Sequence, residues 1–346
     1  EPWKKNLIGG SDDHSALNIA RTFTEVTGAD SVDSFLKGID SGRTTVSSQP
    51  SSPQNMARNL YSIAYQFYRS KLGLGNYAPS DGVLKFIDRC LRTDYQAHSG
   101  FLKKLHILRQ YRRQKKIAAS APDTMMKLLR RETGKLLNEN PQLFLIPEYA
   151  GPHYPEIEQR WFKFVKEISN RVLLQFANHL FDHFSGAHLF NIFHTIGSAG
   201  GFYTLLAPYF VAFAHYNNHR HFQEMVEKRF ERRGLQRAQI GRSENVAIFT
   251  DTFYGINEVA DTLQQQVASA IKCNQRLTVV TCDGENRTDR SGIQNFKPIG
   301  AYDFSDYPES KLFYPPLMEM LEFCYRQNFT RIHAATPGPI GLAALL

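Results

Sequence analysis

The spacing of hydrophobic and polar positions changes twice along the chain and divides it into three regions. Between Met56 and Phe67, apolar side chains recur at three- and four-residue intervals, the spacing of one helix face. Similar stretches continue to about Arg237. Segments that are polar or contain Gly and Pro interrupt them at 73–80, 141–155 and 185–186. This pattern predicts several helices packed as an all-α region.

Strand-length apolar runs replace the helical pattern after Gly241. The runs at 245–250 and 276–281 are apolar almost throughout, and a helical stretch at 258–271 separates them. Strands that are apolar on both faces are typical of a parallel sheet covered by helices on each side. The order strand, helix, strand therefore predicts a parallel βαβ unit that opens a Rossmann-like domain.

The final segment, 331–346, is predicted to form a buried strand, a tight turn rich in Pro and Gly, and the first turns of a helix. This helix lacks a Gly or Asn cap and basic residues in its last turn, which are the usual stop signals. We therefore interpret the chain as a segment of a longer protein.

The Ser- and Pro-rich stretch 47–53 separates a short opening region from the helices. We predict three domains, at 1–47, 48–238 and 239–346. The predicted fold class is α/β and α, with a mostly helical central domain followed by a Rossmann-like parallel-sheet half-domain.

Composition narrows the functional classes only slightly. The chain is 42% hydrophobic and has a formal net charge of +8, which favours anionic partners such as phosphorylated substrates, nucleic acid or acidic lipid. Its four cysteines form no C-x-x-C pair, so neither a zinc knuckle nor a disulfide framework is indicated. A reducing, cytoplasmic location fits this cysteine usage best.

A candidate metal-binding turn lies near the amino terminus. Asp12 and His14 are two residues apart and could direct a carboxylate and an imidazole at one metal ion. The spacing alone also suits a solvated turn or a helix cap.

The surrounding sequence is more informative. The stretch GGSDDHSALNIARTFTEV at 9–26, a predicted helix at 32–39 and the segment SGRTTV at 41–46 resemble the carboxy-terminal end of PHP domains, a family of metal-dependent phosphoesterases. The resemblance implies a short remnant of a PHP barrel, with Asp12 and His14 as ligands of a divalent metal. The family's remaining ligands would lie upstream, so we expect no complete site in this chain.

The helical region offers several candidate features. The basic runs at 103–116 and 227–233 suit acidic lipid headgroups, which would place the protein peripherally at the inner membrane face, or they form solvated helix faces. Nucleic acid is disfavoured because no nucleic-acid-binding motif accompanies the bases. The apolar stretch 189–214 is interpreted as two buried helices meeting near its glycines rather than a membrane span. His179 and His183 are interpreted as structural histidines rather than zinc ligands.

The carboxy-terminal region carries two further motifs. The strand IFTDTF at 248–253 leads into a loop and a helix, and TPGPIGLAAL at 336–345 follows a second strand. In this order they resemble the amino-terminal half of retaining glycosyltransferases that have two facing Rossmann domains. In that family the amino-terminal domain mainly holds the sugar acceptor, and the carboxy-terminal domain holds the nucleotide-sugar donor. The resemblance implies that the cleft is lined by Thr252, Phe253, Tyr254, Asn257, Glu258, Thr336, Pro337 and Gly338.

One residue departs from the family pattern. Glu258 replaces a small Gly, and a carboxylate beside a donor diphosphate would be unfavourable. We therefore expect either a rearranged loop or impaired activity.

These observations favour a retaining, nucleotide-sugar-dependent glycosyltransferase. A lipid-linked sugar is one candidate for its acceptor. The chain alone is expected to be inactive. The alternatives are a PHP-type metal-dependent phosphoesterase and a non-catalytic helical module that docks to a membrane or a partner.

Overall fold

A computed structural model describes residues 5–71, 82–92, 125–140, 155–184, 189–231, 244–284, 291–304 and 307–346. Its helices are α1 (Val32–Asp40), α2 (Pro53–Lys71), α3 (Gly82–Leu91), α4 (Met125–Glu139), α5 (Pro155–Phe184), α6 (Leu189–Glu231), α7 (Glu258–Lys272), α8 (Leu317–Gln327) and α9 (Pro339–Ala343). Its strands are β1 (Thr22–Glu25), β2 (Thr45–Ser48), β3 (Asn245–Phe249), β4 (Arg276–Cys282), β5 (Ile293–Phe296), β6 (Gly300–Phe304), β7 (Tyr307–Tyr314) and β8 (Arg331–Ala334).

The chain divides into two units. The first comprises Glu1–Ala121 and Thr133–Phe164, and the second comprises Pro122–Glu132 and Val165–Leu346. These boundaries differ from the three regions drawn from sequence, because the first unit contains both the opening segment and several of the helices.

In the first unit, β1 and β2 form an antiparallel pair in which Thr22 lies opposite Ser48. The predicted helix at 32–39 is present as α1, and Ser31 caps it by accepting a hydrogen bond from the Ser34 backbone amide. The predicted linker is shorter than expected. Strand β2 runs to Ser48, and α2 starts at Pro53, a residue favoured in the first helical turn because its missing amide needs no partner there.

Aromatic packing forms part of the core of this first unit. The ring of Trp161 lies 5.4 Å from that of Tyr61 and 5.3 Å from that of Phe164, and Phe86 lies 4.7 Å from Phe164. Trp161 and Phe164 are three residues apart on α5, so one helix face supplies both.

In the second unit, the four-stranded parallel sheet has the order β5-β4-β3-β8. This confirms the predicted parallel βαβ unit, formed by β3, α7 and β4. Helices cover both faces. On one face Phe253, Leu263, Val267 and Val279 form a buried cluster with α7. On the other face the buried cluster contains Ala247, Phe249, Val280, Cys282, Met320, Phe323 and Ile340.

Strand β8 was predicted to be buried, and this prediction is wrong. All four of its residues are exposed, including Ile332 at 45%. The reason is its place in the sheet, where β3 is its partner among the described strands and β8 forms the edge.

The prediction of two helices meeting near Gly200 and Gly201 is also wrong, because α6 runs without interruption from Leu189 to Glu231 and contains Pro208. Glycine in a helix costs only about 1 kcal/mol, which burial of a helix face readily offsets. Leu206, Tyr209 and Phe213 supply such a buried face. Among the described residues, no helix has the length and apolar character needed to cross a membrane.

The protein is thus a mixed α/β structure with a four-stranded parallel sheet. The helix and strands described in the opening region are α1 and the antiparallel pair β1 and β2.

Glu319 on α8 carries a pH-dependent part of the stability of the second unit. Burial raises the pKa of its carboxyl above the ordinary value of 4.5, although Lys166 Nζ lies 3.5 Å away and Asn170 Nδ2 donates a hydrogen bond at 3.4 Å. A carboxyl with a raised folded-state pKa stabilises the fold fully below its unfolded pKa, and this contribution is lost as the pH rises through the folded-state pKa.

We therefore expect wild-type protein to lose more stability than a Glu319→Gln variant as the pH rises from about 4.5 towards neutrality. Thermal melting across this pH range measures the difference. Glu322→Gln on the same helix is the matched control, because Glu322 pairs at 3.9 Å with Arg326, whose side chain is 67% exposed. Parallel curves for wild type and Glu319→Gln would contradict the assignment.

Candidate functional site

Strand β3 lies at a point where the order of the parallel sheet reverses. The chain leaves β3 through α7 to reach β4 on one side, and β8 pairs with β3 on the other side. Open α/β sheets bind ligands outside the carboxyl ends of the strands at such a reversal, because the two following loops diverge there. The loops at 250–257 and 335–338 occupy this position, and we call the space between them the switch-point crevice.

Asp251 joins the two sides of the crevice. Thr336 Oγ1 donates to Asp251 Oδ2 at 2.6 Å, and the Ile340 backbone amide donates to Asp251 Oδ1 at 2.9 Å. The Asp251 amide donates in turn to Thr336 Oγ1 at 2.9 Å. Both carboxylate oxygens therefore hold the loop after β8 in place.

Close packing around this carboxylate explains one of the predicted crevice residues. A Cβ atom at Gly338 would collide with the carboxylate of Asp251, so only glycine permits this approach. The neighbouring Pro337 is exposed. Thr336 and Gly338 are thus brought against the loop after β3, whereas Pro337 faces solvent.

The loop after β3 begins with a turn in which the Gly255 amide donates to the Thr252 carbonyl at 3.0 Å. Thr252 Oγ1 is buried and has no hydrogen-bond partner among the described residues. Phe253 is only 3% exposed and belongs to the core beneath α7, so its side chain is not an accessible wall of the crevice. Tyr254 packs edge-on against Phe253 with ring centroids 5.1 Å apart.

Asn257 and Glu258 form the start of α7. The Asn257 side chain caps the helix by accepting a hydrogen bond from the Ala260 amide at 2.9 Å. Glu258 is the first helical residue and is exposed. A carboxylate there interacts favourably with the positive end of the helix dipole, by about 0.3–1 kcal/mol. The structure thus gives Glu258 a role in helix stability.

Acidic groups cluster near the carboxyl ends of β3 and β4. Burial is the main reason why the pKa of the Cys282 thiol is raised to about 12, and the charges of Asp251 and Asp283 add to this effect. Cys282 is therefore a neutral thiol at physiological pH and not a thiolate nucleophile. The nearby carboxylates favour hydrogen-bond donors over anions as ligands.

The amino-terminal turn places its three consecutive polar residues in different surroundings. The side chains of Asp12 and His14 are 97% and 80% exposed, and Asp12 Oδ1 lies 3.7 Å from His14 Nε2. Two candidate ligands are therefore close together on the surface of the first unit. Among the described residues there is no cluster of three or more His, Cys, Asp or Glu side chains suited to a metal ion.

Asp13 points inward and organises the turn. Its Oδ1 accepts hydrogen bonds from Ser15 Oγ at 2.7 Å and the Ser15 amide at 3.1 Å, and its Oδ2 accepts one from the Asn18 amide at 3.0 Å. Burial tends to raise the pKa of Asp13, but these hydrogen bonds outweigh it and hold the pKa below its ordinary value.

Asp13→Asn should lower the stability of the first unit at pH 7 by about 1.5–3 kcal/mol, because the amide group cannot accept the Asn18 hydrogen bond and carries no charge. A lowered folded-state pKa makes this contribution fully present above the unfolded pKa, and it is lost as the pH falls through the folded-state pKa below 3.8. Urea titrations at pH 7 and near pH 3 should therefore show a large difference from wild type that closes in acid. Asp12→Asn, one residue earlier and exposed, should change stability by less than about 0.5 kcal/mol.

Asp13 and Asp251 hold these two segments in place, and neither role was predicted from the sequence. For Asp13 the signal was available, because an Asp two residues before a Ser often bonds the following backbone as a local turn. Asp251 acts on residues 85 and 89 positions away, which no local pattern records.

Some candidate residues predicted from the sequence are not among the residues or side chains that the structure describes. The basic run at 103–116 lies outside the described residues, as do most side chains at 227–233. Helix α5 includes positions 179–183, but the side chains of His179 and His183 are also outside the described set.

Comparisons of the chain with protein-family models, with curated proteins and with solved structures found no match.

Proposed function

We propose that this chain supplies the acceptor-binding half of a retaining, nucleotide-sugar-dependent glycosyltransferase. The observation that carries the proposal is the strand order β5-β4-β3-β8. Counted from β3 as the first strand, this is the order 3-2-1-4 of a Rossmann half, with the reversal beside its first strand. The motifs IFTDTF and TPGPIGLAAL flank that reversal from its two sides.

The charge of the crevice supports an acceptor in preference to a donor. A sugar acceptor presents hydroxyl groups, which donate hydrogen bonds to carboxylates, whereas a nucleotide-sugar presents a diphosphate that carboxylates repel. Glu258 is exposed at the start of α7, where its carboxylate is accessible to a hydroxyl group of an acceptor. The nucleotide-sugar would then be held mainly by groups outside this chain.

A second function, metal-dependent phosphoester hydrolysis, is favoured by one observation. Asp12 Oδ1 and His14 Nε2 lie 3.7 Å apart, a separation that lets a carboxylate and an imidazole share one divalent ion. Both side chains are exposed and accessible to further ligands. In this alternative the metal would polarise the phosphoryl oxygens of the substrate.

The test uses the complete natural protein with a panel of radiolabelled nucleotide-sugars and lipid-linked or soluble sugar acceptors. We expect Glu258→Gln to raise the KM for the acceptor while leaving the KM for the donor and the rate of donor hydrolysis unchanged. Asp261→Asn, exposed in the same first turn of α7, is the matched control and should leave both constants unchanged.

Two outcomes would redirect the proposal. Absence of transfer with every donor would overturn the glycosyltransferase assignment. Metal-dependent hydrolysis of a phosphate monoester that is lost in His14→Ala would support the second function instead.

A further inference from the structure

Two histidines lie side by side on the exposed face of α6, and neither belongs to the candidate sites discussed above. His215 and His219 are one helical turn apart, and both are exposed. The opposite face of the helix is buried through Tyr209 and Phe213, and Arg220 also faces inward, where it stacks on Tyr325. The helix is therefore held by its packing, and both imidazoles are accessible to a ligand from solvent.

The distance between the two rings fits coordination of a single metal ion. With metal–nitrogen bonds of about 2.0–2.1 Å, two imidazoles on one ion have ring centroids about 4.5–5.2 Å apart for angles at the metal of about 90–109°. The centroids of His215 and His219 are 4.7 Å apart, and the ring planes are inclined at 70°. The pair thus reaches this separation without a change in the helix backbone.

The chemistry of the donors limits the choice of metal. Imidazole nitrogen suits zinc, copper and nickel, whereas calcium and magnesium require oxygen ligands. Two histidines at i and i+4 on one helix face are also the pair by which a helix contributes two ligands to zinc. No third ligand completes the site among the described residues, so water would fill the remaining positions.

We propose that His215 and His219 form a two-histidine site for one divalent transition-metal ion, with zinc as the reference metal. This inference does not depend on the proposed glycosyl transfer. The open coordination positions make it a site where a further ligand from solution can join the ion.

The experiment measures zinc stoichiometry and affinity for the full chain by equilibrium dialysis. Loss of an outer-shell partner already lowers metal affinity by about 10–100-fold, so loss of a direct ligand should lower it by at least about tenfold. We expect His215→Ala and His219→Ala each to lose the same single zinc equivalent. The double variant should lose no more than one equivalent, because both side chains hold one ion.

Matched controls separate this site from other zinc ligands and from misfolding. His333→Ala, at an exposed position on β8, should keep the equivalent that the α6 variants lose. Helical circular dichroism should be the same for wild type and all variants. Unchanged zinc binding in the single α6 variants, losses that add to two equivalents in the double variant, or no zinc bound by wild type would each overturn the proposal.

Discussion

Glu158→Ala should lower the free energy of unfolding of the first unit by about 3–5 kcal/mol, the cost of leaving one partner of a buried ion pair alone. Glu158 Oε1 lies 2.8 Å from Arg21 Nη1, and the side chains of these residues are only 8% and 12% exposed. The same oxygen accepts a hydrogen bond from Asn55 Nδ2 at 2.6 Å. In the variant, Arg21 would keep only neutral acceptors, the Asn18 side chain and the Pro50 carbonyl.

Urea denaturation followed by tryptophan fluorescence is a suitable measurement, because Trp161 is buried and lies three residues from Glu158 on α5. Glu158→Gln keeps an oxygen acceptor for Asn55, so its free energy of unfolding should fall by less than that of Glu158→Ala. Glu156→Ala is the matched control, since this exposed residue pairs with Arg160 at 3.7 Å and its loss should cost less than about 1 kcal/mol. Equal effects of the Glu158 and Glu156 substitutions would show that the buried pair contributes no more than a surface pair.

The predictable part of the fold is the part encoded by local spacing. The apolar runs at 245–250 and 276–281 gave the correct strands, because residues buried on both faces leave a continuous signal. The helix between them was also found close to its true bounds, since Asn257 marks its start as a capping residue.

The predictions that failed concern elements whose burial and extent depend on residues distant in sequence. Strand β8, Arg331–Ala334, was predicted to be buried like β3, yet it forms the edge of the sheet and is exposed, a position that depends on strand order. Helix α6 continues through Gly200, Gly201 and Pro208 because one of its faces is buried. The helix propensities of the single residues do not take this burial into account.

The candidate sites show the same limit at the level of single residues. Asp12, Asp13 and His14 are consecutive in the chain, and only Asp12 and His14 were predicted as ligands, while no role was predicted for Asp13. The fold separates them, because only Asp13 turns inward to bond Ser15 and Asn18. Likewise, Phe253 was grouped with the crevice by its motif but packs into the core, as expected for an aromatic ring beside an apolar helix face.

Asp251→Ala should have the second large effect, because this carboxylate is the link between the loops of the switch-point crevice. Removing it eliminates the hydrogen bonds from Thr336 Oγ1 and the Ile340 amide, and hydrogen bonds to charged groups contribute about 1.5–3 kcal/mol each. We expect the second unit to lose about 2–4 kcal/mol in free energy of unfolding, since water can replace part of what is lost.

Hydrogen exchange distinguishes a local effect from a global one. The amide of Ile340 should exchange much faster in Asp251→Ala than in wild type, because its acceptor is gone, while amides in the middle of β4 should change only with global stability. Asp251→Asn retains one carbonyl oxygen, so its exchange rate at Ile340 should lie between those of wild type and Asp251→Ala. Asp303→Ala is the matched control, since the Asp303–Lys311 pair at 3.2 Å is on the surface and should contribute little. Wild-type exchange at Ile340 in the Ala variant would show that the loop after β8 is held by its own packing and not by Asp251.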